Sequence, residues 1–138
     1  METKQQASPK VVLKKNEITA KIIGCAYRVS NALGCGFLEK VYENALILEL
    51  REAGLRVIQQ KSIPVHYKGH LIGEYVADLL VNEMVLVELK AVEDLNDVFF
   101  SQCLNYLKAT GLEVCLLLNF GKPGVQIKRI SARLEWIR

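Results

Sequence analysis

Hydrophobic residues recur at helical spacing in two segments of the first half of the chain. The first segment runs from Asn16, the predicted N-cap, to Gly34, which ends it. Its inward positions are Ile18, Ile22, Ala26, Val29 and Leu33. After a "GCG" turn the second segment continues to Gly54. Its inward positions are Leu38, Val41, Tyr42, Ala45, Leu46 and Leu50. Spacings of three and four place these residues on one face, so both segments are predicted α-helices.

Short β-rich runs replace the helical pattern after Gly54. The runs "LRVIQQKSIPVHY", "LIGEYVADLLV" and "VLVELKAV" are separated by the turn signals "KGH" and "NEM", which predicts an antiparallel meander. A third helix is predicted from about Asn96 to Thr110, with Gly111 as its stop. "EVCLLLNF" is then typical of a buried strand, and "VQIKRISARLEWIR" of one more strand with a short tail. This order predicts an α+β domain with a mixed sheet.

Composition narrows the class of protein. A chain of 138 residues, 51% hydrophobic and 24% charged, fits one globular domain with a real core. The polar, Lys-bearing segment 1–15 is predicted to be a flexible N-terminal arm, which leaves residues 16–138 as the domain. The apolar runs are too short to cross a bilayer and no signal peptide is evident, so we expect a cytoplasmic protein without a membrane partner.

Cysteine spacing and net charge add little to this picture. The four cysteines show no C-x-x-C spacing, which argues against a zinc or iron–sulfur site. A net charge of +3 is compatible with a polyanionic partner but does not identify one.

One predicted core strand, "MVLVELKAV", carries two charged residues. Glu88 and Lys90 share a face, although ionised groups are rarely buried unless they are paired or bind a metal. Asp78 lies on the preceding strand, and the turn between the strands decides whether it meets Glu88. A two-residue loop at 82–83 places Asp78 and Glu88 on opposite faces. A three-residue loop at 82–84 places them directly opposite each other, roughly 5 Å apart at Cβ.

Two interpretations of the second register are open. Adjacent carboxylates repel each other unless a divalent cation lies between them, and Lys90 would then stand beside the metal. Alternatively, Lys90 neutralises one carboxylate in a purely structural ion pair. The pattern alone does not decide between a metal site and an ion pair.

Two further motifs flank this strand in the sequence. "GFLEKVY" places Gly36, Glu39 and Tyr42 at the start of the second helix, where the helix dipole favours a carboxylate even at an ordinary surface position. "QCLNY" places Gln102 and Tyr106 on one face of the third helix, which by itself describes an ordinary helix edge.

In combination the motifs resemble the GxxExxY family, a branch of the PD-(D/E)XK nuclease superfamily. The resemblance runs from about Asn16 to about Ile130. "GCGFLEKVYENAL" is similar to the motif that names the family, and "SQCLNYLKATG" to the Q-x-x-x-Y helix of exonuclease-like branches. "ADLLVNEMVLVELKAV" is similar to the D…ExK element, with Ala77 where the superfamily label has Pro. The resemblance implies a restriction-endonuclease-like αβββαβ core with an extra N-terminal helix.

The resemblance also implies a catalytic centre that uses Mg²⁺ or Mn²⁺. Asp78 and Glu88 would bind the metal with the backbone carbonyl of Leu89. Glu39 would be a further ligand or a carboxylate that holds water. Lys90 would orient or activate the attacking water and offset negative charge on the phosphate. These residues suit phosphodiester hydrolysis, because a hard cation held by oxygen ligands lowers the pKa of water and neutralises charge.

The implied substrate is nucleic acid, with DNA favoured on superfamily grounds alone. Gln102 and Tyr106 would steady Lys90 and, with Tyr42, contact the substrate. Basic residues in the arm and tail are candidates for nonspecific phosphate contacts. They are Lys10, Lys14, Lys15, Lys128, Arg129 and Arg133.

Departures from the family pattern keep other functions open. Ser30 occupies the place of a frequent family His, which puts the metal number and the turnover in doubt. The rival hypotheses are a nucleic-acid-binding module with negligible catalysis and a protein-interaction domain whose charged residues form a structural ion pair. The sequence does not decide between endonuclease and exonuclease action, and it leaves the oligomeric state open, a homodimer included.

Overall fold

The computed structural model describes residues 13–132, in which three helices and five strands follow the predicted order. The helices are α1 (Lys15–Leu33), α2 (Glu39–Glu52) and α3 (Asp97–Thr110). The strands are β1 (Val57–Tyr67), β2 (His70–Val81), β3 (Val85–Lys90), β4 (Val114–Asn119) and β5 (Gln126–Ser131). The predicted α+β fold, an αβββαβ core preceded by an extra helix, is confirmed. Most of the predicted arm, 1–15, and the end of the tail lie outside the described residues.

The five strands form one mixed sheet in the order β1-β2-β3-β4-β5. The predicted meander β1-β2-β3 is antiparallel, β4 runs parallel to β3, and β5 is antiparallel to β4. A parallel pair needs a crossover connection, which α3 supplies between β3 and β4. Within residues 13–132, no helix is long and apolar enough to span a membrane.

Two apolar clusters lie on opposite faces of the sheet. The first cluster packs α1 and α2 against the sheet and includes Ile22, Leu46, Leu79 and Val87. The second cluster packs α3 against the other face and contains the following buried residues: Ile63, Ala77, Leu80, Leu86, Cys103, Tyr106, Leu107, Cys115 and Leu117. Burial on both faces explains why β3 and β4 are almost continuously apolar in sequence.

The sequence signals predicted both ends of α3 and the C-terminal end of α1, where Gly34 is the C-cap, but not the N-terminal end of α1. Asn96 caps α3, since its Oδ1 accepts from the amides of Val98 and Phe99, and Gly111 ends it with φ of 77°. The predicted N-cap Asn16 is wrong, because the N-cap of α1 is Lys14, two residues earlier, and the helix begins at Lys15. The side chain of Glu17 accepts from the Lys14 amide at 2.9 Å, so a carboxylate in the first turn supplies the cap.

The turn between β2 and β3 sets the register of the two strands. Asn82 and Glu83 have φ of 50° and 57°, and the Met84 amide donates to the Val81 carbonyl at 3.0 Å. Val81 nevertheless pairs with Val85, so Met84 is an extra residue and the loop spans three residues. The three-residue register is therefore the observed one, and it brings positions 78 and 88 opposite each other.

Candidate active site

Backbone pairing between β2 and β3 ends where the two acidic residues begin. The last pair in the ladder is Leu79 with Val87. Beyond it, the Asp78 amide donates to Oε1 of Glu88 at 2.8 Å, and the Leu89 amide donates to Oδ2 of Asp78 at 2.8 Å. The two carboxylates thus take the place of backbone carbonyls, and they face each other across the opening between the strands.

Strand β1 is also irregular at this level. The β1–β2 pairs on either side, Gln59 with Leu79 and Lys61 with Ala77, are regular, whereas Gln60 is unpaired with φ of 56°. Leu79 belongs to the first apolar cluster but Ala77 to the second. Residues two apart in a regular strand share a face, so β2 changes the face it presents at Asp78.

Burial and mutual repulsion raise the pKa values of the acidic residues. Glu88 is only 4% exposed, and its pKa is raised to about 8 by burial and then by the negative charge of Asp78. Burial also raises the pKa of Asp78, and that of Glu39, for which the charge of Asp78 is the second cause. The three carboxylates therefore lie within electrostatic reach of one another, at a place where a cation would stabilise their ionised forms.

Lys90 contacts an aromatic ring rather than a carboxylate. Its Nζ lies 4.7 Å from the centroid of the Phe99 ring on α3. None of the ion pairs formed within residues 13–132 involves Lys90, so the structural ion pair considered above is not present. Among the described residues no hydrogen bond joins Lys90 to Gln102 or Tyr106, so the support expected from these two side chains stays a prediction, and the observed contact is with Phe99. The positive charge of Lys90 still acts on Glu88, whose pKa it lowers as a lesser contribution.

Tyr42, which we expected to contact substrate, is a structural residue. It is fully buried and stacks on Phe120 with ring centroids 4.8 Å apart. Its hydroxyl donates to the Gly34 carbonyl at 2.7 Å and accepts from the Phe37 amide at 3.1 Å. The tyrosine thus fixes the turn before α2, and with it the half-buried Glu39 at the first position of that helix.

Helix α3 places Gln102 and Tyr106 on the side of the sheet that carries Glu88. The Tyr106 hydroxyl donates to the Val76 carbonyl at 3.3 Å, and its ring lies 5.6 Å from that of Tyr75. Burial raises the pKa of Tyr106, and the charges of Glu88 and Asp78 raise it further. Tyr106 therefore ties α3 to β2, whereas Gln102 is half-buried one turn earlier.

Four polar residues beside the site were not singled out from the sequence. Glu43 is 1% exposed, and its Oε2 accepts from Nε2 of Gln59 at 2.6 Å and from Nε2 of Gln60 at 3.0 Å. Lys40 forms an ion pair with the same carboxylate. The available signals were the adjacent "YE" in the second helix and two glutamines interrupting an apolar strand.

The chain segment that follows Lys90 is held by the end of β4. The buried Asn119 donates to the Val92 carbonyl at 2.9 Å, and its Oδ1 accepts from the amides of Val92 and Gly121 at 3.0 Å each. The Lys90 carbonyl accepts from the Phe120 amide at 2.8 Å. These contacts fix the backbone from which the Lys90 side chain projects.

The donor set at the open ladder fits a hard divalent cation. Oδ2 of Asp78 accepts from the Leu89 amide and Oε1 of Glu88 accepts from the Asp78 amide, so no backbone amide occupies Oδ1 of Asp78 or Oε2 of Glu88. Within residues 13–132, no three Asp, Glu, His or Cys side chains already converge on a metal-sized site. Mg²⁺ keeps several waters and binds through one or two carboxylates, so these oxygens satisfy its requirement.

Two of the basic residues considered for phosphate contacts instead bond to other residues of the protein. Lys15 pairs with Glu113 at 2.9 Å. Arg129 donates to Thr19 at 3.2 Å and to Asn16 at 2.9 Å. These residues fasten α1 to the β4–β5 side of the sheet, while Lys10 and Arg133 lie outside the described residues.

Comparison with known proteins identifies the family. A sequence model described as the PD-(D/E)XK nuclease superfamily matches residues 16–130. A crystal structure of an alkaline exonuclease (LHK-Exo) from Laribacter hongkongensis is similar, with 16% identity, a TM-score of 0.49, and 89% of this chain and 85% of that chain covered. LHK-Exo in complex with dAMP gives 14% identity, a TM-score of 0.41, and coverage of 86% and 85%. No curated protein matches the sequence. The chain belongs to the PD-(D/E)XK nuclease superfamily.

Proposed function

We propose that this member of the PD-(D/E)XK nuclease superfamily is a Mg²⁺- or Mn²⁺-dependent phosphodiesterase that hydrolyses nucleic acid, with DNA as its substrate. The observation that carries the proposal is the exchange of hydrogen bonds between Asp78 and the Glu88–Leu89 segment where the ladder opens. A plain structural sheet has no need of two facing carboxylates at this position. The superfamily match supports the reaction class, and the preference for DNA rests on that match alone.

The proposal includes finer assignments of family and domain. We assign the chain to the GxxExxY branch on the motif that contains Gly36, Glu39 and Tyr42. We also assign residues 16–138 to a single nuclease-like domain, which the match over residues 16–130 supports.

Asp78 and Glu88 would hold the cation through the two carboxylate oxygens that backbone amides leave available. The Leu89 carbonyl would join them, because the N–H and C=O of one residue face the same edge of a strand and the Leu89 amide faces Asp78. Glu39 would complete the ligand set or hold the attacking water. When bound, the cation would lower the pKa of water and neutralise charge on the phosphate.

Lys90 would stabilise the negative charge that develops on the phosphate and orient the water. Its ammonium group is steadied by the Phe99 ring and is not consumed by an ion pair within residues 13–132. A preorganised cation at a developing charge is among the largest contributions to catalysis. Gln102 would contact the substrate backbone, and Tyr106 would hold α3 in register beside the site.

A cleavage assay with one isosteric variant tests the function. Linear, circular and single-stranded DNA and RNA would be incubated with Mg²⁺ and with Mn²⁺. We expect Glu88→Gln to lower the rate by at least about 100-fold. Glu83→Gln is the matched control, since Glu83 lies in the exposed turn and should cleave like the wild type. Melting temperatures of both variants would show whether the fold is retained.

Three outcomes would contradict the proposal. If the wild type were as inactive as Glu88→Gln on every substrate, the protein would not be a nuclease under these conditions and the proposed catalytic activity would be contradicted. Metal-independent binding of nucleic acid without cleavage would favour the binding module. If Glu88→Gln mainly lowered the melting temperature, the carboxylate would be structural rather than catalytic.

A further inference from the structure

Gln60 departs from the regular β1 backbone at the position that faces Asp78. Its φ of 56° lies in the left-handed region, which a non-glycine residue seldom adopts inside a strand. The flanking residues keep their pairing with β2, so the irregularity is confined to this position. Backbone strain of this kind persists only where the surrounding contacts hold it in place.

The Gln60 side chain joins two carboxylates that would otherwise repel each other. Its Nε2 donates to Oε2 of Glu43 at 3.0 Å and lies 3.5 Å from Oδ1 of Asp78. Glu43 is almost completely buried on α2, and its negative charge raises the pKa of Asp78. The Gln60 amide group therefore lies between the carboxylate of Glu43 on α2 and the carboxylate of Asp78 at the open ladder.

The geometry points to Gln60, held by Glu43, as a positioning residue that sets the orientation of the Asp78 carboxylate toward the metal. This role rests on the proposed function. Oδ2 of Asp78 is already held by the Leu89 amide, so a second donor at Oδ1 fixes the plane of the carboxylate. A carboxylate oxygen has two lone pairs, and Gln60 can use one while the other is left for a cation. Hydrogen bonds to ligating groups typically change metal affinity by 10- to 100-fold.

The adjacent glutamine provides a natural control. Gln59 donates to the same Oε2 of Glu43 and to Oδ1 of Asn44 at 3.2 Å, yet no hydrogen bond joins it to Asp78 within residues 13–132. Gln59 and Gln60 thus share the Glu43 contact and differ in the contact with Asp78. A role in holding α2 against β1 would involve both glutamines, whereas a role in orienting Asp78 involves Gln60 alone.

The test is Mn²⁺ binding by isothermal titration calorimetry on the metal-free full chain. Gln60→Gly removes the amide group while suiting the left-handed backbone, so the melting temperature should be retained or slightly raised. We expect the Kd for Mn²⁺ to rise by about 10-fold or more in Gln60→Gly, and by less than about two-fold in Gln59→Ala.

Each contrary outcome identifies what has failed. A wild-type Kd retained in Gln60→Gly, or an equal loss in Gln59→Ala, would overturn the positioning role and leave the proposed function intact. If the wild type itself showed no saturable Mn²⁺ binding, the proposed function and the positioning role would both be overturned.

Discussion

The two edges of strand β3 are built differently. Toward β4, all six residues of Val85–Lys90 pair in a regular parallel ladder, and the chain that follows is clamped by Asn119. Toward β2, only three pairs form before the ladder opens. There the carboxylates of Asp78 and Glu88 take over the backbone amides.

The difference shows how a sheet can carry acidic groups in its interior. A ladder continued on both edges would satisfy every amide with a backbone carbonyl, and no carboxylate would be needed. Replacing carbonyls with carboxylates brings negative charge into a buried place, which raises the pKa of Glu88 to about 8. We therefore expect changes at the β2 edge to reduce function while keeping the fold, and changes at the β4 edge to reduce stability.

The largest effect is expected from Lys90→Ala at the open edge. Removing a cation placed to stabilise transition-state charge typically lowers the rate by about 10² to 10³. Since Lys90 makes no ion pair with a described residue, the melting temperature should be nearly unchanged. Initial cleavage rates of Lys90→Ala would be compared with those of the wild type and of Lys21→Ala, a control variant at a lysine of α1. A variant that kept more than a tenth of the wild-type rate would argue against a catalytic role.

At the β4 edge, where Asn119 holds the chain that follows β3, Gly121→Ala should destabilise the fold. A Cβ at Gly121 would lie 2.2 Å from the Val92 carbonyl oxygen, so backbone must move. We expect the free energy of unfolding to fall by about 1–3 kcal/mol, as for other overpacked positions. Gly73→Ala is the matched control, because a Cβ there meets no atom within 4 Å. The two variants would be compared by urea unfolding. Equal unfolding midpoints would show that the close packing of Gly121 against Val92 does not contribute to stability.

The stability of the metal-free protein should depend on pH through the open edge. The pKa of Glu88 is about 8 in the folded protein, against an ordinary value of 4.5. The folded state therefore binds more protons between these values, and the free energy of unfolding falls as pH rises through this window. The slope is at most about 1.4 kcal/mol per pH unit for Glu88. Glu88→Gln should flatten the profile measured by denaturation, and an unchanged profile would show that Glu88 does not titrate as described.

A smaller effect is expected from Phe99→Leu. The variant removes the ring beneath Lys90, a contact worth about 0.5–1 kcal/mol at a partly exposed site. The cleavage rate should fall by about two- to five-fold, with the loss absent when Lys90 is already alanine. Phe100→Leu on the same helix turn keeps the Phe99 ring and serves as the control. Additive effects of Phe99→Leu and Lys90→Ala would contradict the contact as the cause.

The spacing of hydrophobic residues predicted most of the helices and strands, because the buried face of each element determines that spacing locally. The caps of α3 and the alternation of strands and turns are visible in the sequence. The register of β2 against β3 was not, since both loop lengths suited the residues. The observed loop has Glu83 in the left-handed region and an extra Met84, a combination that neither residue type favours.

The candidate site was predicted by residue type better than by orientation. The motif that contains Tyr42 did not show that its hydroxyl is used by the preceding turn. Gln60 and Glu43 resemble ordinary polar residues in the sequence. Their significance depends on contacts between α2 and β1, which no local pattern encodes. Phe99 was missed because a cation over a ring leaves no spacing signal.

Mn²⁺ binding at pH 7, measured by calorimetry in buffers of different ionisation enthalpy, tests the central claim most directly. At this pH Glu88 is largely protonated, since its pKa is raised to about 8. Binding at the open ladder must therefore release a proton from the carboxyl group. We predict saturable binding with proton release that declines above pH 8, and at least about 10-fold weaker binding in Asp78→Asn. Three results would contradict a metal site at the open ladder. They are absence of binding by the wild type, binding by the wild type without proton release, and equally tight binding by Asp78→Asn.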